Sequence, residues 1–364
     1  MQPVRWLASQ VPAIRRLRDA RDQILLERDA AQRDLDEARL RLEETTQRLD
    51  DAQRAAKDSK AELDLLRARP ADSPFFHYNA RFDPQEIMRR HAATGLVPRP
   101  GLVTNFLGVL IDPKYFPAIL MEHAGQVEPI PIPANWHADI AEWGAALRAV
   151  DLARDRFTVM ELGCGWGCWL NNTGVAARRA GLNVQLIGVE GDPGHIRFAE
   201  EACDLNGFSP SRRSLHHGIA AAKAGFALFP RQEKAGMTWG LEPVFGATEE
   251  QRGEAVRSGD HDELPMLALA DIAAPHPRID LLHVDIQGGE ADLIAGSLAL
   301  LREKVAYILI GTHSRQIEGR LFEMLLGQGW TLEIERPATL NLHDPAAPVV
   351  VDGVQGWRNP ALLA

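Results

Sequence analysis

The sequence predicts an α/β fold of the doubly wound, Rossmann-like kind, preceded by one long coiled-coil helix, and three observations predict it. Strand-like runs alternate with helical stretches from Phe157 to Val351, the order that builds a largely parallel sheet flanked by helices. A glycine loop, Gly163-Cys164-Gly165-Trp166-Gly167, joins the first of those strands to the helix after it. Ahead of them, residues 14–66 contain no aromatic residue, glycine or proline and carry an unbroken heptad. The chain therefore divides into a coiled coil over 1–69, a linker and cap or substrate element over 70–155, and the α/β domain over 156–364.

The long helix comes first. With Ile14 at position a, the two seam rows run through Arg21, Leu35, Leu42, Leu49 and Leu63, and through Leu17, Ile24, Thr45 and Leu66. A helix of this length with no other apolar face packs best on copies of itself, so a homo-oligomer is expected. Its acidic and basic residues nearly balance, which favours ion pairs within and between helices over a nucleic-acid arm. Pro70 and Pro74 stop the helix. From Phe75 to Asp155 short apolar pieces are broken by prolines until a helix over 136–152. Tyr115, Trp136, His137 and Trp143 there are pocket candidates by residue type, although core is the commoner place for such side chains.

Phe157 to Met160 is the first strand, and Glu161 lies two residues before the first glycine, where a carboxylate can help orient a ligand ammonium. Only a residue without Cβ takes positive φ freely and lets the backbone approach a ligand closely. A nucleotide-like cofactor is therefore expected across Gly163, Cys164, Gly165, Trp166 and Gly167. The dinucleotide fingerprint would need glycine at 168, and Cys168 stands there. A helix ends at Gly181, and a second strand, 184–189, ends in Glu190, placed to accept hydrogen bonds from two adjacent ribose hydroxyls. Gly191 opens the turn into the helix 196–206. A third strand lies near 214–218 and another at 226–229. Residues 231–262 lack periodicity and read as an insertion loop, either over the site or on the surface. The strand 279–286 carries His283 and Asp285. A helix through Leu301, the strand 305–310 ending toward His313, the helix 318–326, and strands at 331–335 and 349–351 complete the sheet.

Composition excludes several classes. A net charge of −10 gives no electrostatic footprint for nucleic acid or an anionic membrane. Three cysteines without a C-x-x-C pair argue against a disulfide framework or zinc ribbon and fit a reducing, cytoplasmic setting. No apolar run reaches the length of a membrane span, so any membrane association is peripheral.

The string Glu161-Leu162-Gly163-Cys164-Gly165-Trp166-Gly167 resembles the first motif of class I S-adenosylmethionine-dependent methyltransferases. His283-Val284-Asp285-Ile286-Gln287-Gly288-Gly289-Glu290 is similar to the later motif K-I-D-x-E-G-x-E of the FkbM family of those enzymes. Two motifs in the right order span roughly Phe157 to Glu335. The resemblance implies a seven-stranded sheet, S-adenosylmethionine as cofactor with Gly191 and Asp285 among its contacts and Gly218 and Ile219 edging its adenine, and methyl transfer to a hydroxyl of a sugar, glycan or natural product. It departs from the family at His283, where the family has lysine, and at Gln287, where it has glutamate. Asp285, His313 and His283 are the candidates for the acceptor proton, and Asp285 is favoured because it matches the motif. No metal ligand is assigned, since magnesium leaves no sharp signature; Asp285, Asp260 and Asp262 are the carboxylates available to one. Two rivals stay open: a non-catalytic cofactor-binding module that recruits partners through its coiled coil, and a nicotinamide-dependent oxidoreductase or epimerase.

Overall fold

The computed structural model describes residues 73–363 apart from 233 and 235, together with residues 12, 16, 17, 19–25, 32, 41, 42 and 45–49. Two compact units are present, residues 1–67 and residues 68–364. In the first, the described residues are helical, and Leu17, Ile24, Leu42 and Leu49 of the expected seam are exposed. The rest of the heptad from Ile14 to Leu66 lies outside the described residues.

The second unit opens with a two-residue strand β1 (Asn79–Ala80), helix α1 (Pro84–His91) and helix α2 (Ile140–Leu152). The expected start of α2 at Trp136 is corrected to Ile140, because Asp139 caps the helix. Its carboxylate accepts from the amides of Ala141 and Glu142, and Glu142 reaches back to the Asp139 amide. Strand β2 (Arg156–Leu162) is buried at six of its seven residues, as a central strand covered on both faces must be. Helix α3 (Cys168–Arg179), strand β3 (Asn183–Glu190), helix α4 (Pro193–Leu205) and strand β4 (Arg213–His217) follow, the two helices being the crossovers between neighbouring parallel strands.

The chain then leaves the main sheet. Strands β5 (Ile219–Ala221), β6 (Gly225–Pro230), β7 (Val244–Phe245) and β8 (His261–Ala268) form a separate sheet in the order β5-β8-β6-β7. The segment 231–262 is thus only partly a loop: it holds β7 and helix α5 (Glu249–Ser258), which Thr248 and Gln251 cap reciprocally. After helix α6 (Leu269–Ala273) the chain returns through β9 (Leu281–Val284), α7 (Glu290–Lys304), β10 (Tyr307–Thr312), α8 (Arg315–Gly327), β11 (Thr331–Arg336) and β12 (Gly353–Arg358).

The main sheet has eight strands in the order β1-β11-β12-β10-β9-β2-β3-β4. Two expectations are corrected. The count is eight rather than seven, because β1 adds an antiparallel edge beside β11. Val349–Val351 does not close the sheet but pairs with Thr339–Leu340 in a hairpin, and β12 takes the place between β10 and β11, antiparallel to both. Residues 73–155 pack on this sheet through β1 and α2, and a buried Arg336 on β11 ion-pairs with Asp139. The core lies between the sheet and the helices over β9 and β10, with Met160, Ile187, Leu282, Ile294, Ile308 and Leu321 fully enclosed. Strand order reverses between β2 and β9, so the carboxyl ends of those two strands form the crevice where such sheets bind ligands.

Candidate functional site

The glycine loop leaves β2 at that crevice. Gly163 has φ +76°, and a Cβ there would fall 1.9 Å from the carbonyl oxygen of Asp285. Glycine is therefore required for the end of β2 to pass against the loop after β9. The amides of Gly163 and Cys164 both donate to the carbonyl of Val189, which ties the loop to the end of β3. Gly165 (φ +52°) turns its amide to Glu190, whose carboxylate accepts it at 2.9 Å and accepts the Asp192 amide at 2.8 Å. A carboxylate has about four acceptor positions, so Glu190 keeps capacity for two hydroxyl donors.

Gly163, Gly165, Glu190 and Asp192 line one open cleft with a cavity volume of about 140 Å³. Gly163, Gly165, Glu190, Gly191, Gly218, Ile219 and Asp285 all border it, so seven of the expected contacts converge. Ala220, Phe229, Leu241 and Pro243 add an apolar wall.

Other expected contacts do not reach it. Glu161 is buried beneath the loop, where its carboxylate accepts from the amides of Trp169 and Leu170 and so caps α3. Burial pushes its carboxyl up to about 8 despite those two donors. The ligand-ammonium role expected of Glu161 is corrected to a capping role. Cys164 and Trp166 are buried as well and do not border the cleft; Trp166 stacks on Tyr115 with ring centroids 5.6 Å apart. Gly167 serves as the left-handed entry to α3. Tyr115 and Trp143 are core, and neither Trp136 nor His137 borders the cleft.

His283 lies one step below Asp285, as the strand period requires, but is buried against Trp169 with Nδ1 unpartnered, and burial lowers its pKa to about 4. It sits buried behind the crevice and does not border the cleft. Asp285 has 41% of its side chain exposed and stands against Gly311 of β10. Gln287, held at φ +56°, donates its amide to Asp285 at 3.2 Å. The substitution of glutamine for the family glutamate thus places a donor, not a second negative charge, beside Asp285. Nε2 of His313 lies 3.3 Å from Asp285, and Nδ1 lies 2.9 Å from the fully buried Glu290. Burial alone would lower the His313 pKa, but the two carboxylates raise it to about 10. Burial alone would raise the Asp285 carboxyl, but His313 and the Gln287 amide hold it below the usual range. The two carboxylates favour the charged form of His313, which has no free lone pair for the acceptor proton.

Asp285, Glu290 and His313 are the one set among the described residues whose potential metal-ligating atoms lie within 4.8 Å of one another, yet the imidazole is already shared between the carboxylates. Asp262 pairs instead with Arg231.

The sequence assigns no role to His195 at the cleft, and marks Trp239 only as part of an insertion over the site or on the surface. His195, in the first turn of α4, is buried with Nε2 unpartnered and Nδ1 4.0 Å from Glu190. Trp239 comes from the insertion, stacks on His195 and on Phe116, and lies so close to Gly165 that a Cβ there would meet its ring at 2.5 Å. Asp192 and Gln232 place it: the Gln232 side chain donates to Asp192 and accepts from the Thr238 amide. Glycines on both sides of Trp239, at 236 and 240, were the available signal.

Residues 154–337 match the family model described as the methyltransferase FkbM domain. A protein of Jannaschia sp. (strain CCS1) named "Putative methyltransferase" is 47% identical over 275 residues, covering 76% of this chain and 98% of that protein. Among solved structures, methyltransferase FkbM from Methylobacillus flagellatus KT is similar at 12% identity, covering 60% of this chain and 54% of that one, with a TM-score of 0.36. The human methyltransferase 10 domain containing protein is 12% identical over 76% of this chain and 98% of its own, with a TM-score of 0.34. With the glycine loop, the Glu190 carboxylate and the Asp285 loop gathered at one crevice, the chain belongs to the FkbM family and is an S-adenosylmethionine-dependent methyltransferase.

Proposed function

We propose that the enzyme is an O-methyltransferase acting on a hydroxyl of a sugar, glycan or natural-product acceptor. The observation that carries this reading is Asp285, a carboxylate held ionised at the carboxyl edge of the sheet and partly open to the cleft. A hydroxyl is a weak nucleophile until its proton leaves, so a positioned base beside the reacting oxygen is needed. Asp285 is the one candidate of the three that is both ionised and accessible.

The cleft suits the cofactor on the chain's own terms. The cradle at Gly163 and Gly165 has no room for a side chain, Glu190 retains acceptor capacity for vicinal hydroxyls, and Ile219, Ala220 and Phe229 offer an apolar wall suited to an aromatic base. When bound, S-adenosylmethionine supplies an electrophilic methyl group on a sulfonium sulfur. The protein's part is to hold donor and acceptor in line, take the hydroxyl proton on Asp285, and keep water out with Trp239 and Leu241.

The exposed leucines and isoleucine of the N-terminal helix support assembly into a homo-oligomer, with no nucleic-acid partner. All three cysteines are free, which supports a cytoplasmic setting, and no helix among the described residues is long and apolar enough to cross a membrane. Methyl-labelled S-adenosylmethionine, offered with a panel of hydroxylated glycans and their amine-bearing counterparts, tests the reading. Label is expected as a methyl ether. Label on nitrogen alone would contradict it.

A further inference from the structure

The loop after β9 is held from beneath by a side chain that the proposed chemistry does not yet use. Glu290, at the first position of α7, is fully buried. Its Oε1 accepts the amides of Ile286 and Gly288, at 3.2 and 3.0 Å, and lies 2.9 Å from Nδ1 of His313. Its Oε2 has no partner. A buried carboxylate with an empty acceptor position is costly unless a cation compensates it, and His313 is the cation in contact. The other nitrogen of that ring faces Asp285, so one imidazole bridges a buried carboxylate and an exposed one.

We propose that Glu290 is a positioning residue of the methyl-transfer site, which fixes His313 as a doubly protonated bridge so that Asp285 stays ionised and correctly oriented. The proposal rests on the reading of Asp285 as the base. Glu290 touches neither substrate nor cofactor; it acts through His313. In the step itself the proton passes from the acceptor oxygen to a carboxylate oxygen of Asp285 and exchanges from there with water, while His313 keeps both of its protons. The histidine is thus an electrostatic clamp and not a relay. This arrangement differs from a catalytic triad, where the imidazole takes the proton and the buried acid only orients it.

Other titratable groups face the bridge. Asp352, just ahead of β12, adds a third negative charge near His313, and His283 lies below Asp285 on β9. Both carboxylates in contact with His313 therefore favour its charged form, and Asp352 adds to them.

The test uses nitrogen- and carbon-detected NMR of the full chain with labelled histidine, following the His313 ring from pH 5 to pH 10, a range centred on the ordinary titration of the imidazole and its expected displacement (about 6.5 in isolation). In the parent the ring should remain an imidazolium through neutral pH. In Glu290→Gln, which keeps size and shape, its titration should fall by at least about one unit, and Glu290→Asp should restore part of the shift. Asp285→Asn should lower it as well, and this second variant reads the same bridge if Glu290→Gln does not fold. A neutral His313 ring in the parent at pH 7, or a titration unmoved in both variants, would overturn the proposal. Calorimetry of S-adenosylmethionine on the same samples separates the two claims. Failure of the parent to bind it would overturn the proposed function, whereas the ring titration reports on the bridge alone.

Discussion

At the scale of single residues, the same side-chain type does different work according to burial. Three acids stand near the crevice, and environment sorts them: Glu161 caps a helix beneath the loop, Glu190 anchors the loop and faces the cleft, and Asp285 is held ionised at its edge. The sequence marked all three, because each ends a strand or flanks the glycine motif. It could not tell which carboxylate the helix N-terminus would consume, since that depends on where the Trp169 and Leu170 amides point. The histidines on β9 and after β10 are both legible as candidates, His313 more so than His283, but what favours one charge form over the other is distant in sequence: Asp285 and Glu290 for His313, burial against Trp169 for His283. A pH dependence follows. The folded pKa of His313, about 10, lies above its ordinary 6.5. Its bridge therefore contributes stability in full below about 6.5, and that contribution is lost as pH rises through 10. Urea denaturation of the parent and His313→Gln should show a stability gap that is largest in mild acid and narrows toward pH 10. A gap independent of pH would contradict the charged bridge.

At the scale of elements, periodicity served well where a strand or helix is buried on a regular face. Strands β2, β3 and β10 fall within a few residues of their expected positions, whereas the insertion after β6 lacks a sequence period and still holds β7 and α5. What escaped was long-range pairing. Nothing local in Val349–Val351 says that it pairs with a neighbour while Gly353–Arg358 enters the sheet, and nothing local in Asn79–Ala80 marks an eighth strand. The insertion hid Trp239 for the same reason, because its place is set by Asp192 and Gln232 together. One contact fastens the elements before the glycine loop to the sheet: Asp139, the cap of α2, is ion-paired with buried Arg336. Asp139→Ala removes the cap and leaves a buried guanidinium without its partner. The loss should be about 3 to 5 kcal/mol, read as a lower midpoint in chemical denaturation. A change under about 1 kcal/mol would mean that solvent reaches Arg336 easily.

At the scale of the whole molecule, composition sets apart a segment without glycine, proline or aromatics from the cap element and the α/β domain that follow it. Assembly rests on the heptad and on the exposure of Leu17, Ile24, Leu42 and Leu49. The full chain is expected to be a dimer or trimer by light scattering at micromolar concentration, and a chain starting at Ser73 smaller; a monomeric full chain would contradict the coiled-coil reading. The central claim is that the crevice between β2, β3 and β9 is where the methyl donor binds, with Glu190 as an anchor and Asp285 reserved for the chemical step. Calorimetric titration of S-adenosylmethionine tests it most directly. Glu190→Ala should weaken binding by about 1.5 to 3 kcal/mol, the cost of a lost charge-assisted hydrogen bond, while Asp285→Asn should bind within a few-fold of the parent. Unchanged affinity in Glu190→Ala, with the fold intact, would contradict it.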